Sequence, residues 1–197
     1  MNIVLKKKEF FLWRDNLTLK NSLLLTFTFT ILTGISAQIK IPLAFTPVPI
    51  TLQTFIVLIA GVILKKNYAA LSQILYIILG VSGINWFSGS KGGIGVLAGP
   101  TGGYIIGFVF AAYFIAYIRE KYNNNTNFIT NLILMFTAGI LIIFGLGLLQ
   151  LFIWFKIAKG DFLSFTALLN MGFTPFIIGE AIKISIATIF TTNFNNK

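Results

Sequence analysis

Apolar runs of membrane-spanning length recur about six times along this chain, and that recurrence leaves few alternatives for its fold. A hydrocarbon core needs about 20 apolar residues per helix, and irregular backbone at that depth must be covered by protein or line a cavity. Composition agrees: of 197 residues 56% are hydrophobic, only 10% are charged and 21 are Phe, so a soluble domain would lack a surface that water can solvate. The mean hydropathy is +0.88. The sequence therefore predicts an all-α membrane protein, a six-transmembrane-helix bundle. The expected spans are Asn21 to Lys40, Ile50 to Leu64, Tyr68 to Ile84, Thr101 to Ile118, Phe128 to Phe155 and Pro175 to Thr192. The second is short. The fifth, at about 28 residues, must tilt or curve. On this reading residues 1–20 form a cytoplasmic or interfacial lead, 21–192 the membrane domain and 193–197 a cytoplasmic tail.

Charge placement orients the bundle. Lys6, Lys7, Lys8, Arg14, Lys20, Lys65, Lys66, Arg119, Lys121 and Lys197 fall on one side, and Lys40, Lys91, Lys156 and Lys159 on the other. By the positive-inside rule both termini are cytoplasmic, in the cell membrane. The net charge of +10 is thus read as topology signal and contact with anionic lipid, not as a nucleic-acid surface. A cleaved leader is disfavoured, because a charged lead precedes the first apolar run and Ile35 is too large at the −3 position before Ala37. Phe10, Phe11, Leu12 and Trp13 among lysines read as a segment that lies on the membrane surface.

No Cys and no His are present, which excludes disulfides, thiolate chemistry, imidazole metal sites and His bases. Five acids in all make a hydrolase or metal centre hard to assemble. The expectation is a protein that is not an enzyme and needs no cofactor or metal.

Glu180 and Lys183 stand out against this background, being charged and in mid-span. An ionised side chain at the bilayer centre costs roughly 2.5–3.5 kcal/mol even on lenient scales, so such residues tend to face a cavity and act there. Spacing i, i+3 sets both on one face. The competing reading is a salt bridge that only packs helices. Counting from Pro175, the pair lies roughly 8 Å and 12 Å below the outer helix end. Two further irregular stretches share that side: Ile41 to Pro49, and the Gly-rich run from Trp86 to Gly103. Ile94, Val96 and Leu97 imply that this loop dips back into the bundle. The start at Thr101-Gly102-Gly103 offers free N–H groups and the positive end of a helix, suited to a carboxylate or carbonyl oxygen, with Lys91 as a second anion contact. The Gly spacing is not that of a nucleotide-binding loop, so energy input must come from another subunit or a gradient.

The runs Ile41-Pro-Leu-Ala-Phe-Thr-Pro-Val-Pro-Ile-Thr-Leu-Gln-Thr54, Gly92-Gly-Ile-Gly-Val-Leu-Ala-Gly-Pro-Thr-Gly-Gly-Tyr104 and Pro175-Phe-Ile-Ile-Gly-Glu-Ala-Ile-Lys183 resemble the signature segments of the BioY family. Members are biotin-specific S components of energy-coupling factor (ECF) transporters. The resemblance runs from about Thr33 to Thr192. It implies a helix bundle that captures biotin from outside and docks on a transmembrane coupling (T) subunit driven by two ATPase subunits. Two departures stand out. Glu180 replaces the family's usual Asp, and Asn85-Trp86-Phe87-Ser88 replaces Pro-Val-Phe-Ala.

With biotin as the implied ligand, Glu180 accepts from ureido N–H and Lys183 donates to the ureido carbonyl. Phe45, Trp86, Phe87 and Tyr104 are candidates for ring contact. Thr101, Gly102, Gly103 and Lys91 are candidates for the valerate carboxylate, and Gln53 and Tyr76 for further hydrogen bonds. Thr26, Thr30 and Gly34, four apart on the first span, form a smooth stripe, which resemblance assigns to docking on the coupling subunit. An S component for another small vitamin and a passive channel or facilitator are the alternatives. An intramembrane enzyme lacks a nucleophile with its base.

Overall fold

The protein is described by a computed structural model covering residue 14 and residues 16–122, 126–160 and 162–193. The surface-lying reading of Phe10 to Trp13 and the position of Lys197 fall outside these residues. Helix α1, Leu19–Ser36, opens where the Thr18 hydroxyl accepts from the Asn21 N–H at 3.4 Å, as N-capping residues do. Its successors are α2, Gln53–Ile63, and α3, Lys66–Val81. The four-residue helix α4, Ile94–Leu97, precedes α5, Gly102–Lys121. Helix α6, Phe128–Phe136, continues through a π-helical stretch, Thr137–Phe144, into α7, Gly145–Trp154. A second π stretch, Phe155–Lys159, ends it. Helix α8, Phe165–Gly172, leads through the tight turn Thr174–Phe176 into α9, Ile177–Asn193.

Among the described residues three helical spans are long and apolar enough to cross a membrane: Gly102–Lys121, Phe128–Ala158 and Phe165–Asn193. Fewer qualify than the six apolar runs because α2 and α3 have only 11 and 16 residues, and α1 carries Lys20, Asn21 and a run of Ser and Thr.

Several boundaries differ from the sequence reading, each for a local reason. The first span ends at Ser36 instead of Lys40, and Lys40–Ile41 (β1) pairs antiparallel with Ile50–Thr51 (β2). This ribbon closes the loop that carries Pro42, Pro47 and Pro49, whose missing N–H groups and fixed φ bar a helix there. Ile50 and Thr51 are therefore strand, not the start of a helix. Helix α8 is missing from the sequence reading, although Ser164 caps it by accepting from the Ala167 N–H at 3.2 Å.

Helix α5 is the centre of the bundle, with Ala111, Ala112, Ile115 and Ala116 fully buried. Its glycines set how closely neighbours approach. A Cβ on Gly107 would lie 2.9 Å from Ile143 Cα, and one on Gly103 would lie 2.1 Å from the Leu146 carbonyl oxygen. Lipid gives no hydrophobic gain for helix association, so contact of this kind supplies much of it.

The same packing logic places the stripe expected to dock on the coupling subunit inside the bundle. Thr26 and Thr30 are fully buried, and Gly34 faces inward under Trp86, whose ring carbon would be 2.8 Å from a Cβ placed there. Thr30 donates to its own helix at Thr26 O (3.0 Å) and lies 2.9 Å from Ser72 O on α3. The hydroxyls make the stripe compact, and a neighbour within the chain uses it. Leu24, Phe27, Ile31 and Ile35 form the exposed face instead.

Thr30→Leu and Gly107→Leu are each expected to cost about 1–3 kcal/mol by overpacking. The measurement is a thermal unfolding midpoint in detergent. A midpoint equal to that of the parent chain would contradict the inward placement.

Candidate functional site

At one end of the bundle the Pro-rich loop, the Gly-rich loop and the start of α9 converge on a cavity of about 560 Å³, within the usual range for small-molecule pockets. The β1–β2 ribbon delivers α2 to it with Gln53 and Thr54 foremost. One turn into α9, Glu180 reaches the same wall.

Glu180 and Lys183 form a buried ion pair, 2% and 8% exposed. Lys183 Nζ donates to Thr51 O and to Thr54 Oγ1, both at 2.8 Å, and to Glu180 Oε1. Thr54 Oγ1 donates in turn to Glu180 Oε1 at 3.0 Å. An ammonium has three protons, and here all three have protein acceptors. Lys183 therefore stands behind the wall, with all three protons engaged by the protein. The other oxygen, Glu180 Oε2, is buried with no partner among the described residues, on a side chain that lines the cavity. A buried acceptor left alone costs about 1–3 kcal/mol. That oxygen is the site's strongest demand for a donor.

The rest of the cavity is graded. Tyr104, Ile105, Phe108, Phe144 and Phe176 give an apolar region, with Tyr104 and Phe144 edge to face at 5.5 Å. Polar groups come from Gln53, Ser88 and Thr101. Lys40 and Lys91 line the cavity as well, and both are exposed. The site thus runs from a buried carboxylate, past rings, to two solvent-facing ammonium groups.

Of the residues expected to touch a ligand, Glu180, Gln53, Lys91, Thr101 and Tyr104 line this cavity, whereas Lys183, Tyr76, Trp86, Phe87, Gly102, Gly103 and Phe45 do not. Phe45 is 59% exposed. Tyr76, Trp86 and Phe87 form an aromatic cluster one layer out. Tyr76 accepts from Gln53 Nε2 at 2.9 Å, Trp86 Nε1 donates to Tyr76 O at 3.0 Å, and Phe87 lies on Gly80. Gly102 and Gly103 serve close backbone approach, against Leu97 and Leu146, and the Gly102 N–H is already given to Gly99 O at 3.3 Å.

Sequence reasoning missed Thr54, which holds both members of the pair, and Phe108, Phe144 and Phe176, which look like any other apolar residues in their runs. It also missed the ties that hold the irregular walls. Gln150 Nε2 donates to Leu97 O (3.4 Å) and Gly99 O (3.3 Å), Thr46 to Met171 O (2.6 Å), and Tyr104 to Gly172 O (2.8 Å). A Gln in mid-helix was the one readable signal among them.

Thr54→Val keeps the volume and removes both hydrogen bonds at the charged pair. It is expected to lower stability by about 1–3 kcal/mol, read as a reduced melting midpoint in detergent. An unchanged midpoint would show that the pair does not need Thr54.

Comparison with known proteins follows from the same residues. The BioY family profile matches residues 8–197. The chain is 36% identical over 162 residues to "Biotin transporter BioY" of Thermotoga maritima, covering 82% of this chain and 88% of that one. It is 37% identical over 161 residues to "Probable biotin transporter BioY" of Pyrococcus horikoshii, with coverage of 82% and 88%. Its fold is similar to a crystal structure described as the S-component for biotin from an ECF-type ABC transporter. That superposition has a TM-score of 0.77 at 25% identity and covers 89% of this chain and 93% of the other.

Proposed function

The chain belongs to the BioY family, and on that premise we propose that it is the S component that captures biotin at the outer face of the cell membrane and passes it inward with a coupling module. It is a membrane protein of a biotin-transporter family and not an enzyme. The observation that carries the ligand reading is Glu180 Oε2, buried and without a partner among the described residues, on a side chain that lines the cavity.

Biotin's groups suit that order. A ureido N–H supplies the donor that Glu180 Oε2 lacks. The thiophane ring suits the region of Tyr104, Phe108, Phe144 and Phe176. The valerate then extends toward the exposed lysines. Lys183 acts at one remove, by fixing the carboxylate. Glu180 in place of the usual Asp is one methylene longer, and the clamp of Thr54 and Lys183 on Oε1 keeps that extra reach from becoming freedom.

On this reading the six apolar runs are six spans, with both termini cytoplasmic and the cavity extracellular. A T subunit and two ATPase subunits supply the energy, and the bilayer is the remaining partner. Because Thr26, Thr30 and Gly34 lie inside the bundle, docking on the T subunit falls to other surfaces. A passive channel would show no saturable, tight binding by the isolated protein, which separates it from a binding component.

Equilibrium binding with a panel of vitamins tests the ligand. Biotin is expected to bind and the others not. Glu180→Ala and Lys183→Ala are expected to weaken biotin by at least about 2 kcal/mol, roughly thirtyfold, because each leaves a buried charge alone. Glu180→Asp is expected to keep measurable binding. Unchanged affinity with lowered stability in the Ala variants would reduce the pair to a packing salt bridge.

Topology is tested separately, since the absence of Cys makes the chain its own labelling background. Ser90→Cys and Ser164→Cys are expected to react with an impermeant thiol reagent on intact cells. Asn124→Cys and Asn195→Cys, at positions outside the described residues, are expected to react only after permeabilisation. Outside labelling of Asn124→Cys would reverse the orientation.

A further inference from the structure

The longest helical span among the described residues, Phe128–Ala158, has 31 residues. At 1.5 Å per residue that is about 46 Å, against about 30 Å of hydrocarbon and about 40–45 Å with both headgroup layers. Even with ordinary tilt, such a helix puts an end among the headgroups. Its Trp154 end belongs to the cavity end of the bundle. From there the chain returns through α8 to Met171 and Gly172, whose carbonyls accept from the cavity-lining Thr46 (2.6 Å) and Tyr104 (2.8 Å).

The residues at this end are not chosen for water. Gly160, left-handed at φ 69°, ends the helix and reverses the chain. Around that reversal Ile157, Phe162 and Phe165 are 78%, 73% and 75% exposed. Exposed apolar residues scattered singly need no explanation, but here three large ones flank one short reversal beside Trp154. Lys156 is exposed too, and its Nζ sits 5.1 Å from the centre of the Phe162 ring, so a cation–π contact ties one arm of the reversal to the other. Two lysines, Lys156 and Lys159, against one acid, Asp161, leave the stretch positive. Aromatic rings and lysines together suit the boundary between acyl chains and phosphates. Rings rest at headgroup level, and a lysine stem covers apolar surface while its ammonium reaches a phosphate.

We propose that Trp154, Ile157, Phe162 and Phe165, with Lys156, form a phospholipid-interface anchor at the cavity end, and that this anchor steadies the cavity wall through α8. The anchor and the cavity stand at the two ends of that eight-residue helix. Its inner end is tightly packed: a Cβ on Gly172 would lie 2.7 Å from Leu148 Cδ2, and 2.8 Å from both Leu151 Cδ2 and the Tyr104 oxygen. Displacing the anchor therefore pulls on the carbonyls to which Thr46 and Tyr104 are tied. The anchor stands independently of which ligand the cavity takes.

The test places the full chain in nanodiscs of phosphatidylcholine and phosphatidylglycerol. Because the chain has no Cys, Ile157→Cys carries an environment-sensitive fluorophore as its single label. Ser90→Cys, exposed between the cavity-lining Ser88 and Lys91, is the reference. A nitroxide on the upper acyl chain is expected to quench the Ile157 label at least about threefold more than the Ser90 label, with aqueous iodide giving the reverse order. The link to the cavity is read by amide hydrogen exchange in the same nanodiscs. The triple variant Ile157→Ser, Phe162→Ser, Phe165→Ser is expected to exchange the amides of residues 166–173 about tenfold faster, with those of α5 unchanged. Iodide quenching at Ile157 equal to that at Ser90 overturns the anchor. A lipid-seated label with unchanged exchange in α8 overturns the link to the cavity wall, as does exchange that quickens equally in α5 and α8.

Discussion

A lysine with all three protons engaged is what the rest of the site depends on. Lys183 is held by Thr51 O, Thr54 Oγ1 and Glu180 Oε1, and those acceptors come from the end of a ribbon, the first turn of α2 and the preceding turn of α9. Taking charges out of water is tolerated only when geometry is good and the remaining lone pairs and protons are matched. Here the matching is complete on one side and deliberately incomplete on the other. Every proton of the ammonium is bonded, one carboxylate oxygen is bonded, and Glu180 Oε2 is buried without a partner among the described residues. The arrangement spends no conformational freedom at binding, because the acceptor is already fixed when a ligand arrives.

Irregular backbone surrounds that pair, and it persists because side chains satisfy it. Backbone polar groups that lack water must find partners within the protein. Gln150 gives both amide protons to carbonyls of the Gly-rich loop, Gln38 holds the turn at Ser90, and Thr46 and Tyr104 bond the carbonyls that end α8. Gln150 and Tyr104 sit on helices α7 and α5, whereas Gln38 follows α1 and Thr46 belongs to the Pro-rich loop. The glycine contacts of α5 keep the helices close.

The fold was legible in the sequence at the level of apolar period and turn chemistry, and illegible where two short elements compete for the same residues. The fifth span was visible from its length alone, because nothing interrupts Phe128 to Phe155. The ribbon at Lys40–Ile41 and Ile50–Thr51 was not, since two-residue strands leave no alternating pattern. Helix α8 was hidden by its apolar sequence merging into the next run. The stripe of Thr26, Thr30 and Gly34 was read as a docking surface, and in the structure it packs on α3 and Trp86. Spacing reports which residues share a face, and the occupant of that face is settled by the path of α3 and by Trp86 beyond it.

Glu180 and Lys183 show the same limit at the site. Their spacing puts both on one face of α9, and burial cost marks both as functional, yet they end in different roles. The lysine's four-carbon stem reaches a backbone carbonyl and a hydroxyl that the sequence presents as an ordinary Ile-Thr-Leu-Gln-Thr stretch. Once those acceptors are within reach, the ammonium turns toward them and away from the cavity, because three bonds in a water-poor site outweigh one bond to a ligand that is sometimes absent. The shorter carboxylate side chain has two oxygens and only one set of protein donors. Its second oxygen is left over by stoichiometry, and a binding site begins where the protein's own donors run out.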